Sequence, residues 1–164
     1  MKIRSMSALV AGSMLFASGL AHAQTATGEM GVSAQVTRTC TLSAAPLAFG
    51  NLSVEAVNNA SAVVTLVCNG TSTVTTILVG MGANAEPPTT QRNMASGSDL
   101  VPYTLHVLEA GGADIATAGA VTLVREGTTN TYSVTLYGKV QPSTAYQMGS
   151  YSDTVVLTAA YTGP

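Results

Sequence analysis

Few residues in this 164-residue chain could carry out chemistry. A catalytic nucleophile needs a neighbouring base, most often histidine, and beyond the N-terminal segment the chain has only His106. That histidine falls in an alternating apolar stretch that predicts a strand, so packing or surface exposure explains it. The acidic residues from position 99 onward are Asp99, Glu109, Asp114, Glu126 and Asp153. They lie apart in expected turns and strand ends, where Asp favours backbone hydrogen bonds, so the sequence predicts no enzyme, cofactor or small-molecule substrate.

The first residues have the three-part pattern of a secretory signal peptide. Lys2 and Arg4 form a short basic start, residues 6–20 are apolar or small, and residues 21–23 form an A-x-A cleavage site. The apolar stretch is shorter than the roughly twenty residues that a membrane-spanning helix needs. We therefore expect cleavage after Ala23 and export of the remaining chain.

The chain has two cysteines, Cys40 and Cys68, and both follow the expected cleavage site. An even number of cysteines in an exported chain is typical of disulfide bonding, and only one pairing is possible here. With one histidine and no further cysteine, this region cannot assemble a familiar zinc ligand set. We therefore predict a Cys40–Cys68 disulfide and no metal site.

The composition is that of one small domain with few charges. Only 9% of the residues are charged, and the net charge is -2 with six scattered Lys and Arg residues. Nucleic-acid binding requires a clustered basic surface, so a nucleic-acid partner is not expected. Polar character comes instead from Ser, Thr, Asn, Gln and Gly, which suits an extracellular β-protein.

Alternation of apolar and polar residues predicts strands along most of the chain. The predicted strands cover residues 61–68, 74–79, 100–109, 131–140 and 151–161, with shorter apolar pieces around Ile115 and at 121–124. The first two could form a hairpin, whereas residues 83–99 have the composition of a long surface connection. Because no stretch has sustained helical periodicity, we predict an all-β fold, a single Ig-like β-sandwich.

A further alternating segment begins the exported chain. Between Gly28 and Thr37 one face carries Met30, Val32, Ala34 and Val36. This segment could be the first strand of its own sandwich. It could instead be a strand offered to an open sheet edge of another molecule, a mode in which backbone hydrogen bonds give affinity and alternate side chains fill pockets. The spacing leaves both interpretations open.

An ordered set of short motifs gives the chain a resemblance to the spore coat protein U domain family, which includes subunits of archaic chaperone-usher pili. The motifs are Cys40, Leu47-Ala48-Phe49-Gly50, Val63 to Cys68 followed by Asn69-Gly70, Arg92-Asn93-Met94, Pro102-Tyr103-Thr104-Leu105, and Gly149-Ser150-Tyr151-Ser152-Asp153-Thr154-Val155. The resemblance covers essentially the whole chain after the signal peptide. Arg92 and Asp153 match family positions, and we expect both to tie loops to strands.

The resemblance implies an Ig-like sandwich that is incomplete because it lacks its final strand. A periplasmic chaperone would first fill the resulting groove, and at an outer-membrane usher the N-terminal strand of the next subunit would replace it. The implied layout is a signal peptide (1–23), a donor-strand extension (24–38) and a pilin domain (39–164). Met30, Val32, Ala34 and Val36 would then be the groove-filling side chains. Head-to-tail contacts of this kind do not close into a ring, so neighbouring copies or related subunits would form a surface filament. This filament would support attachment and biofilm formation.

Two alternatives accompany this expectation. The chain could be a self-contained secreted coat or matrix protein of the same family, with residues 28–37 folded into their own domain. It could also be a tip adhesin, but that would require a separate binding domain for which the chain is short. Tyr161 lies three residues from the end, whereas many such pilins have a penultimate aromatic residue, so the resemblance does not define the register of the chaperone contact.

Overall fold

The computed structural model describes residues 24–70, 76–85, 91–115 and 119–161. The predicted signal peptide lies outside these described residues. The chain divides into two units, residues 1–34 and residues 35–164. In the first unit, residues 24–34 are exposed and belong to no strand, and every described strand lies in the second. The described ranges hold no helix, and accordingly none long and apolar enough to span a membrane.

The second unit is built from antiparallel strands joined by turns and loops. The strands are β1 (Cys40–Ala44), β2 (Asn58–Cys68), β3 (Thr76–Val79), β4 (Arg92–Ser96), β5 (Asp99–His106), β6 (Gly119–Thr122), β7 (Val124–Arg125), β8 (Thr131–Val140) and β9 (Leu157–Ala159). One sheet has the order β1-β2-β8-β5-β4, with β7 also paired to β8, and the other has the order β6-β3-β9.

The two sheets contribute to a single hydrophobic core. Strand β2 buries alternate side chains, including Val64 and Leu66, which are 1% exposed, and leaves the intervening ones facing outward. The second sheet contributes Ile77 and Val79 from β3, both fully buried. Period-two alternation of this kind follows from the pleat, which sends successive side chains to opposite faces. The predicted all-β, Ig-like sandwich is confirmed.

The predicted hairpin between residues 61–68 and residues 74–79 is wrong. Strand β3 pairs with β6 and β9 in the other sheet, not with β2. Near its Cys68 end, β2 is already paired with β1 on one edge and with β8 on the other. No edge is left there for β3, so the chain crosses to the second sheet.

The predicted surface connection at residues 83–99 is also wrong in part, because it contains β4. This strand forms a hairpin with β5 through a two-residue turn at Gly97 and Ser98, and Gly97 adopts a positive φ of 62°, which suits such turns. The buried residues of β4 are Arg92 and Asn93, and neither residue type signals a core strand.

Two other predicted strands need smaller corrections. His106 is buried beside Leu105, and Val107 is 45% exposed, so the expected alternation ends at Leu105. The strand predicted for residues 151–161 is a regular strand only at β9, preceded by an isolated bridge between Ser152 and Ala95.

Candidate functional site

An apolar groove with a volume of about 910 Å³ lies in the sandwich unit. Its floor is made of buried side chains from the larger sheet, among them Ala62, Val64, Leu105 and Leu136. Its two walls are chain segments that lie far apart in the sequence, residues 44–54 and residues 146–157. Asp153 is the only charged residue among the described lining residues, so the groove suits an uncharged, apolar occupant.

The first wall depends on a glycine in β8. Leu47 and Phe49 pack against the core over Gly138. A Cβ atom at position 138 would lie 2.7 Å from Phe49 Cζ and 2.8 Å from Leu47 Cδ2, closer than side-chain atoms pack. Phe49 also meets Tyr103 edge to face, with 6.3 Å between ring centroids. Gly138 therefore allows the aromatic wall to lie directly on the sheet.

The second wall presents an open backbone edge. On one side of this segment Gly80 N–H donates to the Val156 carbonyl at 2.9 Å, and Ala83 N–H donates to the Thr154 carbonyl at 3.0 Å. The alternate residues Tyr151, Asp153 and Val155 make no backbone–backbone hydrogen bond within the described ranges. Their N–H and C=O groups form the other edge, which is the arrangement that an added strand can pair with.

Strand β1 provides a second open edge beside the groove. It is the last strand of its sheet, paired only with β2 among the described strands, and Ala44 at its end lines the groove. The groove is thus bordered by the end strands of both sheets, β1 and β9. An inserted strand could contact both sheets at once.

Asp153 holds the second wall in place through five hydrogen bonds. Its Oδ1 accepts from the backbone N–H groups of Ala83 (2.9 Å), Asn84 (3.2 Å) and Thr154 (2.8 Å), and from Asn84 Nδ2 (3.2 Å). Its Oδ2 accepts from the Tyr103 hydroxyl at 2.7 Å. Burial, and then the neighbouring Asp153, raise the pKa of Tyr103 well above its usual range. Asp153 thereby ties the wall to both a loop and the groove floor.

Arg92 performs a similar task within the core. Its side chain is fully buried; Nε and Nη2 donate to the Gly80 carbonyl at 3.0 and 2.9 Å, and Nη1 donates to the Ile115 carbonyl at 2.6 Å. Asp114 completes an ion pair with it at 3.5 Å. The expectation that Arg92 and Asp153 tie loops to strands agrees with these contacts.

His106 and the two cysteines also have structural partners. His106 Nδ1 lies 3.1 Å from the Ala113 carbonyl, which only accepts, so this nitrogen carries the proton; Nε2 lies 2.8 Å from Thr104 Oγ1. Both ring nitrogens are therefore occupied. Cys40 and Cys68 form a disulfide between the first residue of β1 and the last residue of β2. Within the described ranges, no group of His, Cys, Asp or Glu could hold a metal ion.

The four predicted donor residues are exposed. Met30 is 85% exposed, Val32 83% and Val36 80%, and Ala34 is exposed as well. None of them belongs to a described strand. Their role as donor residues stays a prediction.

The sequence profile of the Spore Coat Protein U domain matches residues 26–158. The chain belongs to this family. Among solved structures, this Spore Coat Protein U domain is similar to a chain of the CsuC–CsuE chaperone–tip adhesion subunit pre-assembly complex from the archaic chaperone-usher Csu pili of Acinetobacter baumannii. The TM-score is 0.56 and the sequence identity 15%, over 74% of this chain and 39% of that chain. At this identity the likeness shows a shared fold.

The Spore Coat Protein U domain described here thus spans about two fifths of that chain's length. No curated protein matches it significantly. Leu47 and Phe49 belong to a motif that carries the family resemblance, but their place in a groove wall was not predicted from the sequence. Gly138 was also missed, and an isolated glycine in a strand pattern was the available signal for it, since such glycines mark close approach of another chain segment.

Proposed function

We propose that this protein is a structural subunit of a chaperone-usher type pilus and polymerises by donor-strand complementation. The observation that carries the proposal is the apolar groove bordered by the open edges of β1 and the segment 151–157. The occupant would be residues 28–37 of a neighbouring copy or a related subunit. This role is structural and needs no catalytic group.

The proposed occupant matches the groove in chemistry. Met30, Val32, Ala34 and Val36 alternate with small or polar residues, so an extended segment presents one apolar face. Burial of Met30 and the two valines would contribute about 1.5–3 kcal/mol each before ordering costs. Backbone hydrogen bonds to Tyr151, Asp153 and Val155 would add to that, because these groups have no backbone partner within the described residues.

Membership of the family and the likeness to a chaperone–subunit complex support a chaperone and other pilus subunits as partners. A periplasmic chaperone would occupy the groove first, and the next subunit would displace its strand at an outer-membrane usher. The chain would be exported through the periplasm and reside in a cell-surface fibre. Surface attachment and biofilm formation would be properties of the assembled fibre.

The proposal is tested by changing adjacent residues that face opposite ways in an extended strand. Val32→Asp would place a charge in the apolar groove, whereas the matched control Ser33→Asp would face away from it. In SDS gels of unboiled surface protein, we expect a heat-sensitive ladder from the wild type and from Ser33→Asp. The ladder should be lost in Val32→Asp. A single monomer band in all three would instead indicate the self-contained coat or matrix protein.

A further inference from the structure

The backbone just before β1 is fixed to the end of β2 by one side chain. Asn69 Oδ1 accepts a hydrogen bond from Thr39 N–H at 2.9 Å, and Asn69 Nδ2 donates to the Thr37 carbonyl at 3.2 Å. The backbone N–H of Asn69 also donates to the Thr39 carbonyl at 3.0 Å. Residues 37–39 are therefore held at three points by one residue of the turn after β2.

The disulfide reinforces this attachment. Cys40 follows Thr39 directly, Cys68 precedes Asn69 directly, and the two cysteines are bonded across the β1–β2 ladder. The adjacent Arg38 side chain lies alongside Gly70, with Nε 3.8 Å from the position of a Cβ there. From Thr37 onward the chain is thus anchored to β2, which pairs with both β1 and β8.

The anchor begins at the residue after the last proposed donor side chain. Val36 is 80% exposed, and the Thr37 carbonyl is already bonded to Asn69. We propose that Asn69 is a positioning residue that fixes the exit of the donor segment, so that successive subunits in a fibre are joined without a flexible linker. This inference rests on the proposed function, because it assigns Val36 to the groove of a second copy of this chain.

A direct joint has a mechanical consequence. A few residues without fixed contacts between two domains behave as a flexible coil. The composition and length of this linker determine how freely the two domains move relative to each other. With Val36 in one subunit and Thr37 anchored in the next, no such residues remain. The fibre should therefore be stiff. That stiffness should require Asn69, and it should also require that no linker residues lie between Val36 and Thr37.

Two changes test the inference in different ways. Asn69→Ala removes two of the three hydrogen bonds. A Gly-Ser-Gly insertion between Val36 and Thr37 adds a flexible linker and leaves every residue of the sandwich unchanged. The matched controls are Asn59→Ala, which removes an exposed asparagine at the other end of β2, and the same insertion between Ala26 and Thr27. The measurement is the persistence length of individual fibres in electron micrographs, with the thermal stability of each protein recorded alongside.

We expect both test variants to form fibres whose persistence length is at least about twofold shorter than that of the wild type, and both controls to match the wild type. Asn69→Asp, which keeps the acceptor for Thr39 but loses the donor to Thr37, should be intermediate, and it replaces Asn69→Ala should that variant fail to accumulate. Wild-type stiffness in the Asn69 variants or in the Val36–Thr37 insertion would overturn the inference. If the wild type formed no fibres, the proposed function would be overturned as well. If only the inference were wrong, wild-type fibres would still form.

Discussion

Tyr103 and Asp153 show how a polar pair can organise an apolar groove. The Tyr103 ring forms part of the floor and meets Phe49 of the first wall, and its hydroxyl donates to Asp153 of the second wall at 2.7 Å. One side chain therefore links the floor to both walls. A buried hydroxyl needs such a partner, since an unsatisfied one costs about 1–3 kcal/mol.

This pair gives the fold a dependence on alkaline pH. Burial and Asp153 raise the pKa of Tyr103 above its ordinary value of 10.0, so the unfolded chain releases this proton at a lower pH than the folded one. The stabilisation is fully present below pH 10 and is lost as the pH rises above it. We expect the free energy of unfolding of the wild type to fall more steeply above pH 10 than that of Tyr103→Phe. Urea unfolding of both proteins between pH 8 and about 11 measures this difference, and parallel curves would contradict it.

Among the strands, β1 is the one most dependent on a covalent bond. It has five residues and pairs only with β2 among the described strands, and short edge strands have few interactions to hold them. The Cys40–Cys68 disulfide lies at the end of this ladder that follows residues 28–37. The bond therefore secures the strand whose other end, at Ala44, lines the groove.

Removal of the disulfide should destabilise the domain by about 3–4 kcal/mol, because it closes a loop of about 28 residues in the unfolded chain. The double variant Cys40→Ser/Cys68→Ser, compared with the wild type in oxidising buffer, isolates this effect. Urea unfolding should show a lower midpoint with little change in slope. As a control, reductant should shift the wild type toward the variant and leave the variant unchanged. A loss below about 1 kcal/mol would show that β1 is held mainly by its ladder.

The strands that could be predicted from the sequence are those whose side chains alone specify burial. In β8, Tyr132, Leu136 and Val140 alternate with mostly polar residues, and they are buried as this pattern predicts. In β2 the alternation separates two largely apolar faces, and only the face with Val64 and Leu66 is buried. Strand β4 could not be found this way because Arg92 is buried through hydrogen bonds to the Gly80 and Ile115 carbonyls. The partner of β3 depended on which edges of β2 were already occupied, which local sequence does not encode.

The groove was the feature least accessible to pattern reasoning. Its walls come from residues 44–54 and 146–157, and its floor from strands in between, so it exists only once the sheets are assembled. The proposed donor residues are different, because the alternation around Val32 is visible in the sequence. What the pattern could not decide was whether the partner of this segment lies in the same chain or in another.

Two parts of the described chain enter the proposed function. The sandwich unit has an apolar groove with open edges, and residues 28–37 carry an exposed apolar face in alternating positions. If each copy filled the groove of the next, the contact would be heterologous and would not close, so it would generate a filament of unlimited length. The disulfide and Asn69 would then lie at every joint of that filament.

The most direct test of this account is a high-resolution structure of the assembled protein isolated from the cell surface. We predict that the groove of each subunit holds an extended strand from a neighbouring subunit. Met30, Val32, Ala34 and Val36 should point inward, and the backbone should be paired with the segment 151–157. A groove filled by residues 28–37 of the same chain, or subunits joined through another surface, would contradict the central claim.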